Sequence, residues 1–244
     1  MEEILWIVSA ILLIPVFIFA LWAQHAVMSR FNKYSSEMSM SGLTGAQLAR
    51  MLLDRYDCSH VTVERCKRGH LSDHYDPKRK VVALSASVHD SSSLAALGVA
   101  AHEVGHAVQD QTGYLPLKIR QLIIRTTRLV NVLLLPLVII GFLGFFFMFL
   151  PISSEVLFWG IISLCIVYAL SALINLITLP TEFNASRRAM QMMRDNNVLH
   201  DEAEYEGSKK VLSAAALTYV AALAVSLVYL MRFAAFALML ARRR

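Results

Sequence analysis

Long runs of apolar side chains constrain this chain more than any other feature. A helix crosses the hydrocarbon of a bilayer with about 20 apolar residues, and four stretches have that length. They are Ile4–Ala23, broken only by Pro15; Leu129–Leu150, which carries Asn131, Pro136 and a Phe-rich end; Val156–Leu179; and Ser213–Met231. Arg232 and a shorter apolar run ending in Arg242, Arg243 and Arg244 follow the fourth. The chain is 57% hydrophobic and 17% charged, where a soluble domain is about half apolar and a quarter charged. So much apolar surface also excludes a disordered chain. The expected class is a mainly α membrane protein with four transmembrane helices. Ile4–Ala23 could instead be read as a cleaved signal peptide. Its leader is acidic (Glu2, Glu3) and no small-residue cleavage site follows, which favours an uncleaved anchor.

Charge sets the expected orientation, because Lys and Arg collect on the cytoplasmic side. Of the 23 Lys and Arg, 14 lie in 24–128 and 5 in 180–212. This divides the chain into a membrane anchor (1–23), a cytoplasmic domain (24–128), a two-span hairpin (129–179), a second cytoplasmic segment (180–212), and a fourth membrane segment with a basic tail (213–244). The expected location is the cell membrane, multi-pass, with the functional segments facing the cytoplasm. A fourth span would put Arg242–Arg244 outside, so the segment either turns back at Arg232 or overrides the rule. The net charge of +5 fits anionic lipid as a partner, and no aromatic interleaving of basic residues points to nucleic acid. Three cysteines (Cys58, Cys66, Cys165) form no disulfide framework, and the spacing of Cys58 and Cys66 lacks the CxxC form of a metal pair.

Segment 24–128 reads as a small α+β domain. Thr44-Gly-Ala-Gln47 is a capping box that opens an amphipathic helix through about Tyr56, with Leu48, Met51, Leu52 and Tyr56 on one stripe. β-prone runs follow at Val61–Glu64, near Leu71 and at Lys80–Ser85, with turns at Gly69 and Asp76-Pro77. Cap-formers at Asp90–Ser93 precede a helix from about Ser92 to Gln111, which Gly113 stops. In segment 180–212, Pro180 is expected to end the third span and a polar helix to continue through about Asn196. Asn131 and Asn175, inside spans, are expected to face helix partners.

Within the 92–111 helix stands Ala101-His102-Glu103-Val104-Gly105-His106, the form HExxH. Two imidazoles four residues apart share one helix face and can reach one ion, while Glu103 projects beside them as a proton acceptor. Gly98, Ala100, Ala101 and Gly105 allow close packing. A catalytic zinc takes three protein ligands plus water. The longer form HExxHxxGxxH, which would supply a third histidine, is absent, because Gln109 and Thr112 occupy its last positions. The remaining candidates are histidines elsewhere or a carboxylate on another helix. Glu182 is the best of these, since the hairpin returns the chain to the side of His102 and His106. The competing reading makes Glu182 a first-turn acid favoured by a helix N-terminus.

HEVGHAVQ, the upstream Asp73-His-Tyr-Asp-Pro77 and the later Glu182-Phe-Asn-Ala-Ser-Arg-Arg188 together resemble the YugP-type neutral zinc metallopeptidases, membrane-bound bacterial proteins. The resemblance spans nearly the whole chain. In motif layout that family is similar to HtpX-type membrane proteases and CAAX prenyl-protein proteases, within the wider gluzincin group. The resemblance implies a zincin-like domain built around the HExxH helix, with one Zn2+ per chain held by His102, His106 and Glu182. It also implies Glu103 as general base and protein or peptide substrates, membrane-associated ones included. Gluzincins commonly place an Asp four residues after the ligand Glu, where it orients a zinc-bound histidine. That position is Ser186 here, and Asn184 stands two after the Glu, so these two are the candidates to orient the imidazoles.

The expected chemistry is zinc-assisted amide hydrolysis with Glu103 taking a proton from water. The oxyanion donor is sought among His74, Tyr75, Arg187 and Tyr205, of which His74 alone is carried forward as a catalytic candidate. Lys80–Ser85 is either an edge strand that pairs with an extended substrate or a plain sheet strand. Acidic Asp201–Glu206 reads as a solvated helix start. The alternative to a peptidase is a non-catalytic membrane scaffold stabilised by zinc. A transporter is disfavoured because the spans hold no charge except Arg232.

Overall fold

The computed structural model describes residues 1–66, 72–123 and 153–242. Leu71 and the expected second span, Leu129–Leu150, lie outside the described residues. The described chain is mainly helical, in the order α1 (Glu2–Ser35), α2 (Gly45–Arg55), β1 (Thr62–Arg65), β2 (His74–Asp76), β3 (Val81–Leu84), α3 (Ala86–His89), α4 (Leu94–Gln111), α5 (Ser154–Asp195) and α6 (Glu202–Arg242). It forms two compact units. One holds Met1–Trp22, Ile119–Ile177 and Tyr219–Arg244, and the other Ala23–Lys118 and Thr178–Thr218.

The first unit takes in the apolar stretches of α1, α5 and α6, three helices long and apolar enough to cross a membrane. On α1, Ile4, Ile7, Ile11, Ile14 and Ile18 are each at least 57% exposed. A continuous apolar surface of this kind is costly in water and suits lipid. Tyr168 stacks on Tyr229 and Phe233 at 4.9 and 5.4 Å, and Asn175 donates to the Ser226 hydroxyl at 3.5 Å. Asn175 thus finds the helix partner expected of it, while Asn131 lies outside the described residues. The turn considered at Arg232 does not occur. α6 continues unbroken to Arg242, since no Gly or Pro interrupts 233–241 and the Arg232 guanidinium lies 3.7 Å from the Trp6 ring.

The second unit buries a core of α2, α4 and the sheet, with Leu48, Leu52, Val82, Leu84, Leu97 and Val104 fully covered. The capping box forms as expected. Thr44 Oγ1 accepts from the Gln47 amide at 3.3 Å, and Gln47 Oε1 accepts from the Thr44 amide at 2.9 Å. At α4, Ser93 is the N-cap and its hydroxyl accepts from the Ala96 amide. The sheet order is β1-β3-β2, with β1 parallel and β2 antiparallel to β3. The run 80–85 is therefore not an edge. β3 is the central strand, hydrogen-bonded on both sides and buried at all four positions, so it has no free edge for an extended peptide. Pro180 lies inside α5, and the polar helix expected after it runs on to Asp195 without a break. A proline costs a helix one donor. Here side chains of α4 and of the segment after it brace the next carbonyls, with Gln109 Nε2 to Thr181 O at 2.8 Å and Tyr114 Oη to Pro180 O at 3.4 Å. Burial of Thr181, Glu182, Ala185 and Ala189 holds the helix on course past the proline.

Candidate metal centre

The second unit brings α4 against the part of α5 that follows Pro180. Gly105 is the point of closest approach, where a Cβ would lie 2.7 Å from the Ala185 carbonyl oxygen. Only a residue without a side chain allows this spacing. His102, about one turn before Gly105, and His106, the next residue after it, face Glu182 on α5. His102 Nε2 is 3.2 Å and His106 Nε2 3.6 Å from Glu182 Oε2, and the rings meet edge-to-face at 4.7 Å. The three offer donor atoms all within 4.8 Å of one another, the one such His/Cys/Asp/Glu group among the described residues. All three side chains are at most 13% exposed.

These separations test whether a zinc ion fits. Bonds of about 2.0–2.2 Å in a tetrahedron place neighbouring donors about 3.3–3.6 Å apart, and the two nitrogen–oxygen distances match that edge. The outer ring nitrogens are also engaged. His106 Nδ1 lies 3.0 Å from Gln109 Oε1, and Gln109 Nε2 donates to Thr181 O at 2.8 Å and Asn184 Oδ1 at 3.0 Å. Because the amide nitrogen is spent on two acceptors, Gln109 must accept from His106. That keeps a His106 proton on Nδ1, so the charged ring also donates from Nε2 to Glu182 and the neutral ring offers its Nε2 lone pair to an ion. His102 Nδ1 meets Ser186 Oγ at 3.1 Å, and Asn184 Oδ1 also accepts from Arg188 Nε at 2.9 Å. Of the two expected orienting residues, Ser186 touches an imidazole directly, and Asn184 acts one bond further out through Gln109.

Electrostatics follow from this burial. Removal from water pushes the Glu182 carboxyl up, but hydrogen bonds from His102 and His106 outweigh it and hold the group well below the carboxylate range. Burial disfavours the charged form of His106, yet the Glu182 hydrogen bond and charge raise its pKa overall. The site is thus set for an anionic Glu182 beside two imidazoles, a donor set that suits a divalent cation. Glu103, only 8% exposed, takes part in none of the hydrogen bonds above.

The remaining candidates lie elsewhere. His74 is exposed on β2, with Nδ1 2.8 Å from the Ser72 carbonyl oxygen, and no contact among the described residues ties it to the three donors. Tyr75 donates to Asp110 Oδ2 at 2.7 Å, where Lys80 Nζ also lies at 2.6 Å. Burial and this hydrogen bond push its phenol up. Asp73 accepts from the Ser85 amide and hydroxyl at 2.6 and 3.1 Å, ahead of α3. The Asp73–Pro77 motif thus fastens the sheet to α3 and α4. Arg187 and Tyr205 line a groove between α5 and α6.

The family model described as "Putative neutral zinc metallopeptidase" matches residues 9–238. The chain belongs to this family. It is similar to the "Putative membrane protease YugP" of Bacillus subtilis (strain 168), 44% identical over 214 residues that cover 87% of this chain and 88% of that protein. No solved structure matches. Membership makes the chain a zinc metallopeptidase by family, and the three apolar helices agree with a relative named as a membrane protease.

Sequence reasoning missed Gln109. It stands where the longer histidine motif has its glycine, and the only signal was its position three residues after His106, one turn along the same helix face.

Proposed function

We propose that the protein is a membrane-spanning zinc endopeptidase that cleaves protein or peptide substrates, with its active site on the cytoplasmic face of the cell membrane. The observation that carries the reading is the convergence of donor atoms of His102, His106 and Glu182 within 4.8 Å, with the two Nε2 atoms 3.2 and 3.6 Å from one Glu182 oxygen. These three would hold one zinc per chain. When bound, the ion supplies a Lewis acid that acidifies water and polarises a scissile carbonyl. Ser186 and Gln109 keep the two imidazoles turned toward the ion, and the Glu182 carboxylate balances its charge. Glu103, next to His102 on the buried face of α4, accepts the proton from the attacking water and passes it to the leaving amine. His74 is retained as a substrate-side donor that a closed complex would have to bring nearer.

The membrane organisation proposed with it has an anchor over 1–23, a cytoplasmic metallopeptidase domain over 24–128, a hairpin over 129–179, the ligand-bearing segment 180–212 and a last membrane segment over 213–244. Four spans with 24–128 and 180–212 in the cytoplasm accord with the Lys and Arg bias.

Metal analysis of purified protein beside His102→Ala, Glu182→Ala and Glu103→Gln tests the assignment. About one zinc per chain is expected in the wild type and in Glu103→Gln, with zinc lost from the other two. Glu103→Gln should cleave a reporter protein about 100- to 10,000-fold more slowly. Normal zinc in Glu182→Ala removes the third ligand, and unchanged cleavage by Glu103→Gln removes the base.

A further inference from the structure

Beside the metal centre, the facing halves of α5 and α6 enclose a groove of about 530 Å³. Its floor is apolar, made of Phe183, Met190, Leu212 and Leu217, and its rim is basic, with Arg187, Arg194 and Lys209. Ser186 belongs both to this lining and to the metal centre, through its contact with His102 Nδ1. The groove therefore borders the candidate metal centre at Ser186. Phe183, Arg187 and Arg194 are exposed, so the walls are open to a ligand.

The basic rim is only partly neutralised. Lys209 is paired with Glu206 at 2.8 Å, and the Arg194 guanidinium is laid on the Tyr205 ring at 4.7 Å. Arg187 makes no ion pair among the described residues, and neither does Arg194. They stand seven residues apart on one helix, about 10 Å along the axis at 1.5 Å per residue.

Resting on the peptidase reading above, we infer that this groove is the substrate channel of that site and selects peptide segments carrying two acidic residues that flank apolar ones. Two cations about 10 Å apart match carboxylates three residues apart on a polyproline-II chain, which has three residues per turn and advances about 3.1 Å per residue, so both carboxylates leave the same edge. The apolar side chains between them fill the floor over Phe183, Met190 and Leu212. A single anionic lipid headgroup would answer one arginine but not both.

The test separates binding from cleavage by using full-length Glu103→Gln protein in detergent. A fluorescein-labelled peptide containing Glu-Leu-Phe-Glu is titrated by anisotropy, beside its Lys-Leu-Phe-Lys counterpart and vesicles of phosphatidylglycerol. The acidic peptide should bind, and adding Arg187→Glu with Arg194→Glu should weaken it about tenfold while the lysine peptide gains. In the otherwise wild-type enzyme, the double reversal should raise KM for the acidic peptide with kcat held, and zinc content should stay at the wild-type value. Acidic-peptide affinity indifferent to the reversal overturns the proposal, as does a reversal that abolishes vesicle binding alone and so marks a lipid site. Charge-dependent binding without any cleavage by the wild type leaves the groove assigned and sinks the peptidase mechanism instead.

Discussion

A Cβ on Gly105 would lie 2.7 Å from the carbonyl oxygen of Ala185, with the Ala185 Cα at 3.3 Å. The neighbour is backbone, so it cannot swing aside as a flexible side chain would. Gly105→Ala must push α4 and α5 apart at the level where His102 and His106 meet Glu182. The variant should lose about 1–3 kcal/mol of stability and bind zinc more weakly, read by thermal unfolding and chelator competition. Gly98→Ala on the same helix meets only ordinary contacts, 3.7 Å from Ser208, and should keep wild-type zinc affinity. Equal behaviour of the two variants would show that helix spacing does not set the site.

Gln109 links the two helices through the His106 imidazole. Its side chain is fully buried, with its oxygen on His106 and its nitrogen on Thr181 O and Asn184 Oδ1. Gln109→Leu keeps the volume and removes every hydrogen bond, so His106 can rotate or take the other tautomer. Zinc affinity should fall about 10- to 100-fold. Gln109→Glu preserves the acceptor toward His106 and should recover part of the loss. Affinity unchanged in Gln109→Leu would mean that packing alone holds the ring.

Local rules reached most of the second unit. The capping box at Thr44, the Ser93 cap and the α4 boundaries all follow from near-neighbour chemistry, while Ser186 as the partner of His102 came from the family resemblance. Three features depended on distant partners and so escaped. β3 is central because β1 joins it in parallel across nineteen positions of register, from Thr62 to Val81, a pairing that no local pattern encodes. Pro180 stays within a continuous helix where Tyr114 reaches its carbonyl and Gln109 the next one. Gln109 matters because the Thr181 carbonyl and Asn184, seventy residues away and more, lie beside it.

Tyr75 provides a prediction that divides structure from catalysis. Its hydroxyl is committed to Asp110, which also receives Lys80 Nζ. Tyr75→Phe leaves Asp110 one partner and removes one partly buried hydrogen bond. Stability should drop by about 1 kcal/mol with kcat and zinc content unchanged, measured by thermal unfolding and reporter cleavage. A large fall in kcat at normal stability would return Tyr75 to the search for the oxyanion donor.

The metal-free and zinc-loaded proteins should respond to pH in opposite senses. In the metal-free fold, His106 is raised above its ordinary value of 6.5 by Glu182 against the opposing effect of burial. A raised pKa contributes stability that is full below 6.5 and is lost as pH climbs through the folded value. Glu182 is held below its ordinary 4.5 by the two histidines, again against burial. Its contribution is full above 4.5 and is lost as pH falls through the folded value. Both are present together between about 4.5 and 6.5, so chelator-treated protein should melt highest there and lower at pH 8. Zinc reverses the trend, because His106 must shed a proton to bind it, and the loaded protein should gain on the apoprotein steadily from pH 6 to pH 8. Melting curves of both forms over this range check it. Parallel pH profiles would mean that protons and the metal do not compete for His102, His106 and Glu182.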